Sequence, residues 1–449
     1  MPRVYMDANA TTPLLPEVVE AMRPYWMERF GNASSIHQDG QQARHAIESA
    51  RETLAEFLGC REAEVVFNSG GTEGDNTALF GMLSQGDHLI TTSIEHSAIL
   101  QTAQRLEKFG VEVTYIAPQP CGLIDPESIR AALRPNTRLI SVMLANNETG
   151  VVQPVAEIGK IAHAIGAFFH IDAVQGAGKM ALDVRTLGCH LLSISAHKMH
   201  GPKGVGALFV RRGTPLESLL VGGSHEHRRR AGTENVAGIV GLGKAAELAM
   251  HSLEDGTFVR VAGLRDRLEA GILKIPGTGV NGVAPQFAPE GRRENSPGQA
   301  QRSPGKAAKM DLAPRRGAVN ALVEHGFGAW DGVGAPGPDF RTGESPRPVP
   351  RVANTTNLWF DHLESEALVI ALDLKGIAVS GGSACASGAT HPSHVLLAMG
   401  VSKARARASL RLSLLKTASE AEVDRVLEVL PEAVAKLRAI SPVEAGTAG

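Results

Sequence analysis

With 449 residues, 43% of them apolar and 20% charged, the chain has the composition of an ordinary soluble globular protein and the length for two domains and a large core. A formal net charge of −2 gives no electrostatic ground for nucleic acid or an anionic membrane as partner. The opening MPRVYMDANATTP has Asp7 and no apolar leader core, and the best membrane candidate, VAGIVGLGKAAELAM, carries Lys244 and Glu247. The four cysteines, Cys60, Cys121, Cys189 and Cys385, are far apart with no CxxC pair, which predicts a cytoplasmic chain without a disulfide framework or a zinc site.

In chain order, Ile47, Ala50, Leu54, Phe57 and Leu58 follow a three/four spacing that predicts an amphipathic helix capped by Gly59. Seven short apolar or β-branched runs come next: VVF (65–67), HLITTSI (88–94), EVTYIA (112–117), RLISVML (138–144), AFFHIDA (167–173), HLLSISA (190–196) and VGALFVR (205–211). Helical spacing or turn residues separate most of them, so the expected fold class is α/β with a largely parallel sheet. Such sheets bind ligands beyond the carboxyl ends of their strands, where Asn147, Asp172, Gln175, Ser195, His197 and Lys198 all fall.

A second helix, with Val261, Leu264, Leu268, Ile272 and Ile275 on one face, leads into a smaller α+β domain. Its strand candidates are NTTNLWF (354–360), GIAVS (376–380) and SLRLSLL (409–415), and a helix bearing Val423, Val426, Leu427, Leu430, Val434 and Leu437 closes it, with Thr417 and Glu420 as its capping box. The expected division is a large domain at 1–255, whose residues 1–15 pack on the small domain at 256–449. Residues 283–350, dense in Pro, Gly, Ser and Arg without periodicity, are expected to be a disordered insertion in the small domain.

The chemistry concentrates at strand ends. Lys198, in SISAHKMHGPKG, offers an amine, Asp172 a carboxylate and Gln175 an amide. Pyridoxal phosphate needs such a set: the amine takes the cofactor aldehyde, and the carboxylate keeps the pyridine nitrogen protonated so that the ring withdraws electrons. FNSGGTEGDN (67–76) runs from a strand into a helix. Its backbone amides at Gly71 and the Thr72 hydroxyl suit a phosphate, although alone it reads as a tight turn. Ser195 and His197 are further phosphate candidates. His96 suits stacking on a planar ring, and Asn147 a cofactor oxygen or a substrate carboxylate. Three arginines precede Thr233 in HEHRRRAGTEN; taken singly, a charge run is a solvated face. Arg411 alternates with leucines and so points away from them; on spacing alone it reads as an outward-facing strand arginine, although its fork suits a carboxylate clamp. Cys385 lies in SGGSACASG, with no bulky neighbour to bury it, which suits an accessible thiolate on a mobile loop.

Together the runs YMDANATTP, FGNASSIH, SGGTEGDN, EHSAIL, ANNETG, HIDAVQGAGK, SAHKMHGPKG, RRAGTEN and GSACASG closely resemble a pyridoxal phosphate-dependent cysteine desulfurase of the NifS/IscS type, in the class V aminotransferase superfamily. The resemblance covers the chain outside about 283–350. It implies fold type I, with a seven-stranded large domain. It also implies that L-cysteine is converted to L-alanine and a persulfide on Cys385, which supplies sulfur for iron–sulfur cluster assembly; ANNETG and HKMH lean toward the nitrogen-fixation form. By the same resemblance, Lys198 bonds the cofactor, Asp172 pairs with the pyridine nitrogen, and Gln175 and Asn147 approach the phenolic oxygen. Gly71, Thr72, Ser195, His197 and a partner subunit's Thr233 hold the phosphate, His96 stacks on the ring, and Arg411 binds the substrate carboxylate. The implied partners are a second copy of the chain and a sulfur acceptor or iron–sulfur scaffold, with Cys385 a thiolate that a nascent cluster would contact. Rival readings are a selenocysteine lyase, a class V aminotransferase, or a non-catalytic sulfur-transfer scaffold.

Overall fold

In the computed structural model, residues 3–282, 349–381 and 392–440 are described. In chain order the strands are β1 (Val4–Tyr5), β2 (Val65–Asn68), β3 (His88–Thr92), β4 (Glu112–Ile116), β5 (Thr137–Met143), β6 (Phe168–Asp172), β7 (Leu191–Ser195), β8 (Gly206–Val210), β9 (Thr278–Val280), β10 (Thr355–Phe360), β11 (Ile377–Ala378) and β12 (Ser409–Ser413).

The seven apolar runs are the seven strands of one sheet, ordered β2-β8-β7-β6-β5-β3-β4. Only β8 runs against its neighbours, β7 and β2; the other pairs are parallel. Both faces are apolar because both are covered. Val65, Phe67, Ile90, Ile171, Leu192 and Ile194 belong to one core, while Val66, Leu89, Leu191, Leu208 and Val210 belong to another on the opposite face. On the first face the long helix Gln38–Leu58 packs against Val236–Glu254. It ends as its sequence predicts, with Gly59 left-handed at φ 67°. Strand order reverses between β3 and β5, so a crevice opens beyond their carboxyl ends.

A separate apolar core surrounds the antiparallel sheet β12-β10-β9, between the helices Thr257–Ile272 and Glu420–Ile440. The last helix is capped two residues later than the expected Thr417/Glu420 pair: Ser419 Oγ accepts from Glu422 N at 3.3 Å, and Glu422 Oε2 accepts from Ser419 N at 2.8 Å. Ser419 and Glu422 keep the three-residue spacing of a capping box, whereas Thr417 lies too early to reach the first turn. The expected insertion also ends too late at 350. Val349 is buried with Cys121, Leu123 and Val151, and Pro350 O accepts from Val152 N at 2.9 Å. The rest of that segment, 283–348, lies outside the described residues.

The N-terminal segment runs between the two sheets. β1 pairs in parallel with β11, Val4 opposite Ile377 and Tyr5 opposite Ala378. Ala8 N then donates to Ser413 O at 3.0 Å, and Thr12 N to His197 O at 3.0 Å.

Candidate active site

Beyond the strand ends lies a cavity of about 240 Å³. Lys198, Asp172, His96, Gly71, Thr72, Asn147, Gln175, Ser195, His197 and Arg411 all line it, so the structure brings together ten residues singled out from sequence. Thr233 does not join them; it is exposed and lines a separate hollow with Arg230, Glu226 and Ser69. Cys385 lies outside the described residues.

Lys198 ends a single 3₁₀ turn, Ala196–Lys198, directly after β7. Its Nζ donates to Asn9 O at 2.6 Å and Ala10 O at 2.8 Å. The N-terminal segment holds the turn itself: Thr12 Oγ1 donates to His197 O at 3.0 Å and accepts from His200 N at 2.8 Å. The chain leaves the turn through His200, left-handed at φ 66°. His197 Nδ1 lies 3.1 Å from Thr11 Oγ1, and burial, with Lys198 and Lys203 nearby, pushes its pKa down to about 4, so its ring is neutral at pH 7.

Asp172 terminates β6, 6% exposed, and Oδ1 accepts from Val174 N at 2.9 Å. Burial pushes its carboxyl above the ordinary range, against the pull of His96, the Val174 N–H and Lys198. A second carboxyl that sequence reading missed, Asp75, faces the same cavity from the helix Gly71–Phe80. It is 1% exposed, its Oδ1 has no hydrogen-bond partner, and burial followed by the charge of Asp172 drives its pKa well upward. His170 Nε2 approaches that oxygen at 3.6 Å, and burial pushes His170 down to about 3. Burial thus lifts both carboxyls, Asp75 the further of the two.

Gly70, at φ 140°, caps the helix that begins at Gly71. A Cβ on Gly71 would come within 2.5 Å of Val174 Cγ2, so a side chain there would fill the space in front of the helix N-terminus. His96 caps the next helix, Ser97–Glu107, its Nδ1 accepting from Ala98 N at 3.1 Å. Beside it Glu95 is fully buried; Oε1 accepts from Thr92 Oγ1 at 2.6 Å and Met143 N at 3.0 Å, while Oε2 has no partner.

Arg411 sits on β12 between Leu410 and Leu412, which point into the second core; it points away from them, as its alternation predicts, and into the cavity rather than outward. It is 1% exposed; its guanidinium donates to Asp7 Oδ1 at 2.7 Å and Asn147 O at 3.0 Å, and Nε has no partner. The chain enters the segment containing Cys385 from Ser380, whose carbonyl accepts from Arg411 N at 2.7 Å. It leaves at Ser393, which donates to Glu148 Oε2 at 2.5 Å, and His394, whose Nε2 is 3.0 Å from Glu95 O. Both ends of that segment are thus tied beside cavity residues.

The run leading to Thr233 is held under strain. Glu226, His227 and Arg228 are consecutively left-handed, at φ 44°, 54° and 65°. Glu226 is fixed by a two-pronged bond to buried Arg51, 2.9 Å on each prong, and accepts from Phe67 N at 2.9 Å. Among the described residues no three or more His, Cys, Asp or Glu side chains form a metal cluster, and no helix is long and apolar enough to cross a membrane.

The layered α/β fold with a lysine lining its strand-end cavity defines a class of enzyme scaffold, and the comparisons give its lineage. The model of the aminotransferase class-V family matches residues 4–291 and 338–426. The chain belongs to that family. It is 44% identical to a cysteine desulfurase IscS of Methanosarcina thermophila, over 98% of this chain and 94% of that one. It is 42% identical to a cysteine desulfurase of Trichormus azollae, over 99% and 96%. Among solved structures a NifS-like protein superposes with a TM-score of 0.76 at 30% identity, covering 97% of this chain and all of that one. The structure of SspA in complex with cysteine gives 0.67 at 31%, covering 91% and 98%. Residues 292–337 are skipped by the family model, within the segment that sequence reading set apart.

Proposed function

We infer that the protein is a cysteine desulfurase that uses pyridoxal phosphate, converts L-cysteine to L-alanine and passes the sulfur on as a persulfide of Cys385. The observation that supports this most is that Lys198, Asp172, His96 and Arg411, drawn from four separate elements, line one cavity. The residues fit the cofactor. Lys198 would bond its aldehyde carbon, the Asp172 carboxyl would pair with the pyridine nitrogen, and the helix start at Gly71–Thr72, with Ser195 and His197, offers donors to the phosphate. When bound, the cofactor supplies an electron sink for the bond cleavages at substrate carbon.

The chain's own residues do the rest. Arg411 and Asn147 orient the substrate carboxylate. The Lys198 amine would take the Cα proton and later return one. The Cys385 thiolate attacks the substrate sulfur: an S–S bond forms, the C–S bond breaks, and the electron pair stays with the carbon skeleton, which is protonated to alanine. Ser380 and Ser393, on either side of the segment that carries Cys385, are both hydrogen-bonded beside the cavity. Thr233, in its own hollow, serves the phosphate of a second subunit, so the working form is a homodimer, and the acceptor is an iron–sulfur scaffold or another thio-cofactor protein.

Purified protein given L-cysteine should form alanine and, with a thiol reductant, sulfide. Cys385→Ser should stay yellow and lose sulfide release; desulfuration at the wild-type rate would refute the role of Cys385. Borohydride reduction and peptide mapping should place the cofactor on Lys198. Keto-acid exchange without sulfide would point instead to an aminotransferase.

A further inference from the structure

Four residues beyond Gln175 a second lysine reaches the amides behind the cavity wall. Lys179 is 6% exposed and is not among the residues lining the strand-end cavity. Its Nζ lies 2.7 Å from the Gln175 side chain and 2.8 Å from that of Asn9. Both amides are fixed from their other ends as well. The second polar atom of Gln175 lies 2.9 Å from Asn9 O, and that of Asn9 lies 3.1 Å from Asn147 O. A main-chain carbonyl only accepts, so both of those atoms are nitrogens, and Lys179 faces two oxygens, to which its amine donates. Asn9 O in turn is the acceptor for Lys198 Nζ.

We propose that Lys179 is a positioning residue: it locks the Gln175 amide so that an N–H, never a carbonyl, is turned to the cavity, selecting a ligand with an acceptor oxygen at that point, and it holds Asn9 as the rest for Lys198. This rests on the reading of the site as one for pyridoxal phosphate, whose phenolic oxygen is such an acceptor. Without Lys179 the buried Gln175 oxygen loses its donor and Asn9 Oδ1 keeps only Asn354 Nδ2 at 3.3 Å, so the Gln175 amide is held through its nitrogen alone and swings more freely.

The test is a double-mutant cycle on the holoprotein with Lys179→Met and Gln175→Ala, read by the pH dependence of the bound cofactor's absorbance rather than by turnover. Each single change removes one donor from the phenolic oxygen and should raise the midpoint by about one pH unit. The double variant should titrate with Gln175→Ala, within about 0.3 unit, because Lys179 acts through Gln175. Additive shifts would mean that Lys179 acts by its charge alone, and an unmoved midpoint in Lys179→Met that it does not act; either overturns the proposal. Should Lys179→Met fail to fold, Lys179→Gln, which keeps donors for only one of the two oxygens, takes its place in the same cycle with the same outcomes. If the wild type takes up no pyridoxal phosphate, the functional reading falls and this role with it; if it does and the cycle is additive, the role of Lys179 falls alone.

Discussion

Glu95→Gln isolates one buried proton. Burial pushes the Glu95 carboxyl up to about 8, against the hydrogen bonds from Thr92 and Met143 N and with the charge of Asp172 adding to the rise. The unfolded chain would release that proton near pH 4.5. Between these values the folded state holds a proton that the unfolded state has lost, so stability is fully present below about 4.5 and is lost as the pH rises toward 8. Integrating between pH 5 and pH 8, the wild type loses about 3.5 kcal/mol through this one group. The glutamine amide carries no titrating proton and keeps the acceptor that Thr92 and Met143 use. The unfolding free energy of Glu95→Gln relative to wild type should therefore improve by about 3.5 kcal/mol from pH 5 to pH 8, measured by urea denaturation of the apoprotein. Asp75 and Asp172 titrate in both proteins and cancel to first order. A difference that is the same at both pH values would refute the reasoning, because it would mean that Glu95 is ionised throughout.

Glu226→Gln removes the anion opposite buried Arg51 and should cost about 3 kcal/mol or more in urea denaturation; a cost below about 1 kcal/mol would show that Glu48 alone compensates Arg51. Arg228→Gly should act the other way: it relieves a left-handed backbone worth about 1–2 kcal/mol, offset by glycine's extra freedom when unfolded, for a net gain of about 0.5–1 kcal/mol in the same assay. Gly71→Ala forces a methyl against Val174 and should weaken pyridoxal phosphate binding about tenfold or more by fluorescence titration, while the apoprotein melts within a few degrees of wild type.

The seven-stranded sheet was legible because each strand is a short apolar or β-branched run ended by turn residues, all but the half-exposed edge strand β4 largely buried, and every strand came out within two residues of its run. β1 and β9 escaped notice: runs of two and three residues carry no period, and pairing to distant strands makes them. The site was legible where chemistry needs a scarce residue at a strand end, as at Lys198 and Asp172. Asp75, Glu95, Asn9 and Lys179 stayed hidden because a buried polar residue inside a helix or a turn looks, in sequence, like any solvated one; only the three-dimensional neighbours reveal it. Arg411 shows the limit from the other side. Its alternation with leucines gave its direction, but not the carboxylate of Asp7 that already grips it.

The pairing of β1 with β11 has a consequence for biosynthesis. Val4 and Tyr5, a few residues before the carbonyls of Asn9 and Ala10 that receive Lys198, find their partner strand only when Ile377 and Ala378 have left the ribosome. At about 5–20 residues per second the wait amounts to tens of seconds. A nascent chain can assemble its large sheet during that interval, yet the strand that leads to the lysine's two carbonyls stays undocked until β11 has been made, so the final fixing of the site comes late.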